Sequence, residues 1–463
     1  MAMLLIAAGV FISQAVAATR TPLIFTVTKT TDTYPTGTPG QLRWAIQQSN
    51  KSAGHGTINF KIPGTGPFKI TPKNDLDPIT KPVTINGYSQ PGAHANTLAT
   101  GNNAHLLIVL NGNNYKEGNA TAGTGNGLLF SPGSAGSVVK GLVISTWINT
   151  GIFINGVNDI SIVGNFIGTN AAGTSVAANQ CGIYIQSASN TVIGTTNVAD
   201  RNIIAGSFFY FNASACIEII QGTNTKIYNN YIGTDKAGGA VLGTSLCGID
   251  LIASNGTLIG NASTSGRNII AGHTIFGISL QASSQCSIQD NFIGTDVSGT
   301  VALGGQNFGI MVNGGGAANS STHNIISNNL ISGNTTGIKL GFFSASGSNG
   351  NTVSSNLIGT DVTGAVALGN NYGLVLNDNS NTIGGSTSAH NVIAGNTVGG
   401  VLVYGTAHSN VISDNYIGYG SSGSNPLPNG YGVQLGLLGP GGAAGTNTIQ
   451  NNRFGGGNTV TTI

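Results

Sequence analysis

The chain has 463 residues, of which 6% are charged, and its formal net charge at pH 7 is +2. A nearly neutral surface lacks the positive charge that binds nucleic acid or anionic membranes, so neither partner is expected. Glycine contributes 73 residues. β-Branched residues nevertheless recur at fixed places between Asn and Gly, a pattern typical of an ordered repeat and not of a disordered chain.

Residues 1–17 are predicted to be a secretory signal peptide. They read MAMLLIAAGVFISQAVA, an apolar run that ends in small residues suited to cleavage. The run lacks a basic N-terminal region, so a retained membrane or assembly anchor is the alternative. No later stretch is apolar enough to span a bilayer. The mature chain is therefore expected to be secreted or displayed at the cell surface without a transmembrane span.

A short amphipathic helix is predicted over residues 40–50, from the spacing of its apolar residues. Leu42, Trp44 (or Ala45) and Ile46 are available on one side of it. These side chains would cover the open apolar end of the repeat that follows. The expected role of the helix is capping.

Residues 127–463 are predicted to form a repeat array, and residues 18–126 to hold its N-terminal cap and first coils. Two short apolar pieces, separated by Gly and Asn, follow each copy of a tetrapeptide with the pattern Gly-apolar-any-apolar. Three short strands per repeat indicate one coil of a parallel β-helix, stacked on its neighbours. The tetrapeptides, one of which has Cys in place of Gly, begin at residues 127, 151, 182, 216, 248, 277, 309, 337, 373, 400 and 432.

Two recurring polar positions are predicted to be architectural. Asp235, Asp296 and Asp361 recur in GTDxxG segments, and an Asp shortly before a Gly is typical of a turn. One carboxylate per loop is too few for calcium, so no metal or other cofactor is expected. An Asn precedes the third strand of each coil, and these amides are expected to form a buried ladder that bonds the coils above and below. They are Asn165, Asn202, Asn230, Asn268, Asn291, Asn329, Asn356, Asn391, Asn415 and Asn452.

The third residue of each tetrapeptide should point outward, which gives one row of side chains along the stack. Glu218 and Asp250 occupy neighbouring coils in this row, ~5 Å apart, so one carboxyl is expected to have a raised pKa. Such a pair suits a retaining or an inverting glycosidase, and spacing alone does not choose between them. On one side, Tyr184 and Phe153 could support a sugar ring, and Ser279 lies on the other.

The coil that contains Glu218 departs from the pattern of the others. It reads RNIIAGSFFYFNASACIEII where another reads RNIIAGHTIFGISL, which adds residues and an aromatic cluster. Phe209 and Tyr210 of this cluster are predicted to bind substrate beside the carboxylates. The alternative is a solvated polar row beside a hydrophobic loop that packs on the wall.

Three cysteines lie near the start of the same strand in consecutive coils. Cys216 is shifted by one place relative to Cys181 and Cys247. Neighbouring coils bring Cα atoms within disulfide range, so Cys216 could bridge either partner in an exported protein. Buried free thiols are the alternative, and Cys286, on a different strand, is expected in the core.

The motifs GIxI, NTxIxxNxIGTDxxGT and RNIIAG resemble those of secreted right-handed parallel β-helix repeat proteins, which have the pectate-lyase-like fold. Residues 40–92 resemble the opening segment of such proteins. The resemblance covers nearly all of the chain after the signal peptide. It implies an all-β, right-handed parallel β-helix with three short strands per coil and an N-terminal helical cap. The family includes enzymes and adhesins, so the resemblance implies no single activity.

Binding or structural presentation at the cell exterior is the predicted function, with extracellular polysaccharide as the partner. The alternative is a polysaccharide lyase or glycoside hydrolase in which Glu218 and Asp250 act as acid and base or nucleophile. Tyr184 would position the substrate or abstract a proton. A third interpretation is a self-associating sheath or filament subunit. It depends on the low charge and on outward apolar residues of the row: Leu129, Phe153, Val375 and Leu402.

Overall fold

The computed structural model describes residues 23–113, 124–207, 215–243, 245–315, 319–342, 347–404, 407–436 and 446–462. These residues form three parallel β-sheets, called sheets A, B and C below. Along the repeat array the chain visits A, B and C in turn and then begins the next coil. The predicted parallel β-helix with three strands per coil is confirmed. The predicted signal peptide lies outside the described residues.

Sheets A and B are built mostly from strands of two to four residues. Among the described residues, the 14 strands of sheet A are Leu23–Val27, Gly56–Phe60, Val83–Asn86, Val138–Lys140, Ser161–Val163, Val192–Ile193, Lys226–Ile227, Leu258–Ile259, Ser287–Gln289, Ile325–Ser327, Thr352–Ser354, Thr382–Gly384, Val411–Ser413 and Thr448–Gln450. The 13 strands described for sheet B are Phe68–Ile70, Ile108–Asn111, Leu142–Ser145, Phe166–Ile167, Ile203–Ile204, Tyr231–Ile232, Ile269–Ile270, Phe292–Ile293, Leu330–Ile331, Leu357–Ile358, Val392–Ile393, Tyr416–Ile417 and Arg453–Phe454.

Sheet C has longer strands, most of them five or six residues, and is therefore the broadest wall. Within the described ranges its 12 strands are Leu128–Phe130, Thr150–Asn155, Cys181–Gln186, Ala215–Ile220, Cys247–Ile252, Phe276–Gln281, Phe308–Asn313, Thr336–Leu340, Tyr372–Leu376, Gly399–Val403, Val433–Leu435 and Val460–Thr462. The first 11 of these contain the last three residues of the tetrapeptides found in the sequence. Each tetrapeptide thus marked a real strand of sheet C.

The core is a column of aliphatic side chains inside the coils. In sheet C, Ile183, Ile217 and Ile249 lie in register on consecutive strands and are completely buried. Burial of one such side chain contributes about 1.5–3 kcal/mol. The stack is therefore stabilised by contacts between corresponding residues of neighbouring coils.

The predicted capping helix is confirmed as Leu42–Lys51. Leu42, Ala45 and Ile46 are buried and belong to the core cluster, whereas Trp44 is half-buried and packs against it. The helix covers apolar surface that the first coil would otherwise expose. The described 3-10 helices are Gly87–Ser89, Val198–Asp200 and Thr264–Gly266.

The predicted asparagine ladder is present in the turn that leads into sheet B. The Nδ2 of Asn291 donates to the carbonyl of Ile259 at 2.8 Å and to Oδ1 of Asn329 at 3.1 Å. The backbone N–H of Asn291 donates to the same Oδ1 at 2.9 Å. Each amide thus forms hydrogen bonds with the preceding coil and with the following coil. These bonds satisfy polar groups that are buried in the turn.

Two further ladders were missed by the sequence analysis. They occupy the turns that lead into sheets A and C, where the same amide-to-amide pattern recurs. Their members are Asn324, Asn351, Asn381, Asn410 and Asn447 before sheet A, and Asn334, Asn370, Asn396, Asn429 and Asn458 before sheet C.

The GTDxxG segments form a column of stacked loops outside sheet B. The Oδ1 of Asp235 accepts hydrogen bonds from the backbone N–H groups of Gly239 and Ala240, so the predicted turn role of this aspartate is confirmed. Val297 N–H donates to the carbonyl of Gly238 at 2.9 Å and joins one loop to the next. Gly238 has φ +74°, and a Cβ there would lie 2.8 Å from Val297. Close stacking therefore requires glycine at this position.

The loop column buries the outer side of sheet B. Its outward side chains form a second apolar cluster: Val143, Phe166, Ile203, Tyr231, Ile269, Phe292 and Leu330. A ligand could reach this sheet only if the loops moved. Sheet C has no such loop column among the described residues, and several of its outward side chains remain half-exposed.

We predict that Asn329→Ala lowers the free energy of unfolding by about 3 kcal/mol, because the buried N–H and amide of Asn291 lose their acceptor. Urea unfolding at neutral pH measures the change. Asn371 is exposed, so Asn371→Ala should change stability by less than about 0.5 kcal/mol. Equal effects of the two substitutions would contradict the structural role of the ladder.

Candidate functional site

The outward row of sheet C brings together most of the residues singled out from the sequence. In register along the stack, Phe153 pairs with Tyr184, Tyr184 with Glu218, Glu218 with Asp250, and Asp250 with Ser279. Their neighbours within each strand, such as the fully buried isoleucines on either side of Glu218, point into the core. The predicted adjacency of the two carboxyls on the outer side is confirmed.

Although this row points outward as predicted, several of its side chains are buried. Glu218 is 8% exposed, Ser279 1%, Val375 6% and Leu402 5%. Corresponding side chains on parallel strands stand only ~4.8 Å apart, so neighbours in the row shield one another. The burial of Val375 and Leu402 removes half of the apolar surface on which the self-association hypothesis depended.

The two carboxyls are held in an environment that favours their protonated forms. Burial, with a smaller contribution from the charge of Asp250, raises the pKa of Glu218 to about 7. Burial raises the pKa of Asp250 to about 6, and the side chains of Ser279 and Gln281 oppose part of that shift. Groups coupled in this way titrate as a pair, so near neutral pH they hold about one proton between them. One member can then donate a proton while the other accepts one.

Polar atoms beside the carboxyls are left without well-formed hydrogen bonds. Oδ1 of Asp250 and Oγ of Ser279, on neighbouring coils, are both buried, and neither has a partner within hydrogen-bond geometry among the residues that the structure describes. Burial and the charge of Glu218 raise the pKa of Tyr184, so its phenol is protonated at neutral pH. Tyr184 is therefore better suited to donating a hydrogen bond than to abstracting a proton.

An aromatic pair adjoins the carboxyls on the N-terminal side. The rings of Phe153 and Tyr184 lie 4.9 Å apart, centroid to centroid, and are inclined by 39°. Both side chains are half-exposed, which leaves part of each ring accessible to a ligand. Phe209 and Tyr210, the aromatic residues predicted on the neighbouring insertion, lie outside the described residues.

The cysteines near the site are free thiols, and all four cysteines of the chain are buried. Cys216 belongs to the core cluster. Burial raises the pKa values of Cys181 and Cys247, and the charges of Glu218 and Asp250 add to this, which indicates that these two thiols lie on the carboxyls' side of the wall. Of the two alternatives drawn from the sequence, the bridge to Cys216 is absent and the buried free thiols are confirmed.

A second aromatic group on the same face was missed by the sequence analysis. Phe276 and Phe308 stack at 5.6 Å on adjacent coils, three residues before the outward row. Phe342 lies 6.5 Å from Phe308. The signal was present in the sequence, because an aromatic residue immediately precedes the tetrapeptide glycine in these two consecutive coils.

No protein-family model and no curated protein sequence matches the chain. Among solved structures, the Dettilon tailspike protein (gp208) has a TM-score of 0.51 at 16% identity, covering 87% of this chain and 66% of the tailspike. The A-module of the mannuronan C-5 epimerase AlgE6 from Azotobacter vinelandii has a TM-score of 0.45 at 14% identity, and the match covers 91% of this chain and 94% of the A-module. DFA-IIIase from Arthrobacter chlorophenolicus A6, in complex with DFA-III, has a TM-score of 0.44 at 14% identity, and the match covers 79% of this chain and 88% of the DFA-IIIase.

The three parallel sheets and the structural similarity to the tailspike show that the chain has the right-handed parallel β-helix fold. At these sequence identities the similarity concerns the fold. Among the described residues, no group of three or more His, Cys, Asp or Glu side chains is placed to hold a metal ion. The described helices include none with the length and hydrophobicity needed to cross a membrane.

We predict that wild-type stability falls as the pH rises from about 4.5 to about 7, because the folded state keeps a proton on Glu218 that the unfolded state has lost. At about pH 8, Glu218→Gln should be more stable than the wild type by about 3 kcal/mol, at 1.36 kcal/mol per pKa unit. At about pH 4 the two should be similar. Urea unfolding across this range measures both.

Asp159 is an exposed carboxylate, so Asp159→Asn serves as the control and should follow the wild-type pH dependence. Parallel curves for wild type and Glu218→Gln would show that Glu218 is not protonated in the folded protein near neutral pH.

Proposed function

We propose that the chain is exported and binds extracellular glycan along the outer face of sheet C. The observation that carries this proposal is the unbroken line formed by Phe153, Tyr184, Glu218 and Asp250 on consecutive coils. Half-exposed aromatic rings offer a face to the apolar side of a sugar ring, and adjacent carboxyls offer hydrogen bonds to its hydroxyl groups. The apolar N-terminal run of the sequence supports export.

The shape of the wall supports a linear ligand. Strands of sheet C are longer than those of sheet B, and no loop column covers them among the described residues. Because the row runs parallel to the helix axis, an extended polymer laid along it meets one residue of the row at each coil, at intervals of ~4.8 Å. The low net charge provides little long-range attraction for a charged ligand, so affinity would come from local contacts such as hydrogen bonds and stacking.

We expect Phe153→Ala and Tyr184→Ala each to weaken glycan binding about tenfold, since each removes one stacking surface. A glycan array identifies the ligand, and titration calorimetry with it measures the affinity. Tyr228 is half-buried and directly follows the sheet A strand Lys226–Ile227, so Tyr228→Ala is the matched control and should leave binding unchanged. Absence of any glycan signal for the wild type would refute the proposal.

A second candidate function is cleavage of the bound glycan. The specific observation in its favour is the pair of raised pKa values, about 7 for Glu218 and about 6 for Asp250. Glu218, with the higher value, would donate a proton to the leaving glycosidic oxygen. Ionised Asp250 would activate a water molecule in an inverting reaction or attack the sugar in a retaining one. Tyr184 would position the substrate.

If the pair is catalytic, Glu218→Gln and Asp250→Asn should each reduce the release of reducing ends by at least about a hundredfold, as expected for loss of a general acid or base. The wild-type kcat/KM should be greatest between about pH 6 and about pH 7, where Asp250 is ionised and Glu218 is protonated. Asp159→Asn is the control. Glycan binding without any release of reducing ends would leave the binding function and exclude hydrolysis.

A further inference from the structure

Lys339 lies on the same outer face of sheet C as the carboxyl pair. It follows Met311 in the register of the row, three coils beyond Asp250, which places it ~14 Å along the axis. Its Nζ is 5.5 Å from the ring centroid of Phe308 and 5.1 Å from that of Phe342. These three residues are called the Lys339 cluster below.

The ammonium group of this cluster has no oxygen partner in the part of the chain that the structure describes. The ion pairs found there all involve arginines, and no hydrogen bond from Lys339 to a described residue is present. Aromatic faces attract a cation but do not replace the oxygen acceptors that its N–H groups have in water. Burial lowers the pKa of Lys339, so the charged form lacks full solvation.

An anionic oxygen ligand would stabilise the charged ammonium group of Lys339. A carboxylate or sulfate would supply charge-assisted hydrogen bonds to the ammonium, and the flanking phenyl rings would pack against the sugar that carries it. Among the outward side chains of this sheet, the described residues offer no other lysine or arginine. An acidic substituent would therefore be held at one defined place, away from Glu218 and Asp250.

We propose that the Lys339 cluster is a subsite for an anionic substituent, carboxylate or sulfate, of a linear acidic polysaccharide. The proposal rests on the proposed glycan-binding function and assigns its ligand class. A chain bound along the row would reach both the cluster and the aromatic pair at Phe153 and Tyr184. Lys339 would attract the acidic substituent at one end of the row, and the carboxyls of Glu218 and Asp250 would repel it near the other end. Together they would fix the position of the ligand along the wall.

The test compares Lys339→Met with the wild type in binding three oligosaccharides of equal length: an oligouronate, a heparin fragment and a neutral cello-oligosaccharide. Methionine keeps the packing between the rings but removes the charge. Lys226 is exposed on sheet A, so Lys226→Met controls for the general loss of one positive charge. Thermal unfolding of each variant checks that the fold is intact.

We expect Lys339→Met to weaken binding of at least one acidic oligosaccharide about tenfold to a hundredfold, with little change for the neutral one. The oligouronate and heparin arms distinguish carboxylate from sulfate. Lys339→Arg should restore most of the affinity, and Lys226→Met should not reduce it. Added salt should weaken binding of the acidic ligand to the wild type more than to Lys339→Met.

Equal losses for acidic and neutral ligands, or the same loss in Lys226→Met, would overturn the subsite. Wild-type binding of the neutral oligosaccharide alone would also overturn it, while the proposed glycan-binding function would stand. A wild type that binds no oligosaccharide at all would overturn both proposals.

Discussion

The structure depends on neighbouring coils being held in register by buried asparagine side chains. Each turn of a coil buries backbone N–H and carbonyl groups that the sheets do not satisfy, and an unpaired buried group costs about 1–3 kcal/mol. An Asn amide offers both a donor and an acceptor, so one side chain can bond the coil below and the coil above. The ladder before sheet B runs from Asn165 to Asn452. The ladders before sheets A and C join the later coils, and together the three restrict the alignment of the coils.

Because the coils stack in register, residues that are distant in the sequence lie side by side on one surface. Glu218 and Asp250 are 32 positions apart, yet they are direct partners on adjacent strands. The loop column buries the outer side of sheet B, whereas the strands of sheet C are long enough to display several rows of side chains. Where the insertions leave the coil thus determines which sheet the loops cover.

The features that repeat could be predicted from the sequence. Those that depend on contacts between side chains of neighbouring coils could not. The strand count, the capping helix and one ladder follow from spacing alone. The burial of Val375 and Leu402 could not be predicted, because it arises from neighbours on other coils. Alternation also failed at Cys216, which replaces a tetrapeptide glycine and points into the core. The alternation of inward and outward residues does not predict where a side chain in the strand departs from it.

The carboxyl pair is difficult to explain by stability. Val375 and Leu402 occupy the same row in other coils, so the wall accepts an aliphatic side chain where Glu218 and Asp250 stand. Even a buried pair of opposite charges is often no more stable than aliphatic residues in its place. Two buried carboxyls with raised pKa values oppose folding near neutral pH, because their ionised forms are disfavoured in the folded state. Proteins accommodate such costs chiefly where a site requires them. This cost is consistent with the proposed role of this part of sheet C in glycan binding, and it does not depend on similarity to other proteins.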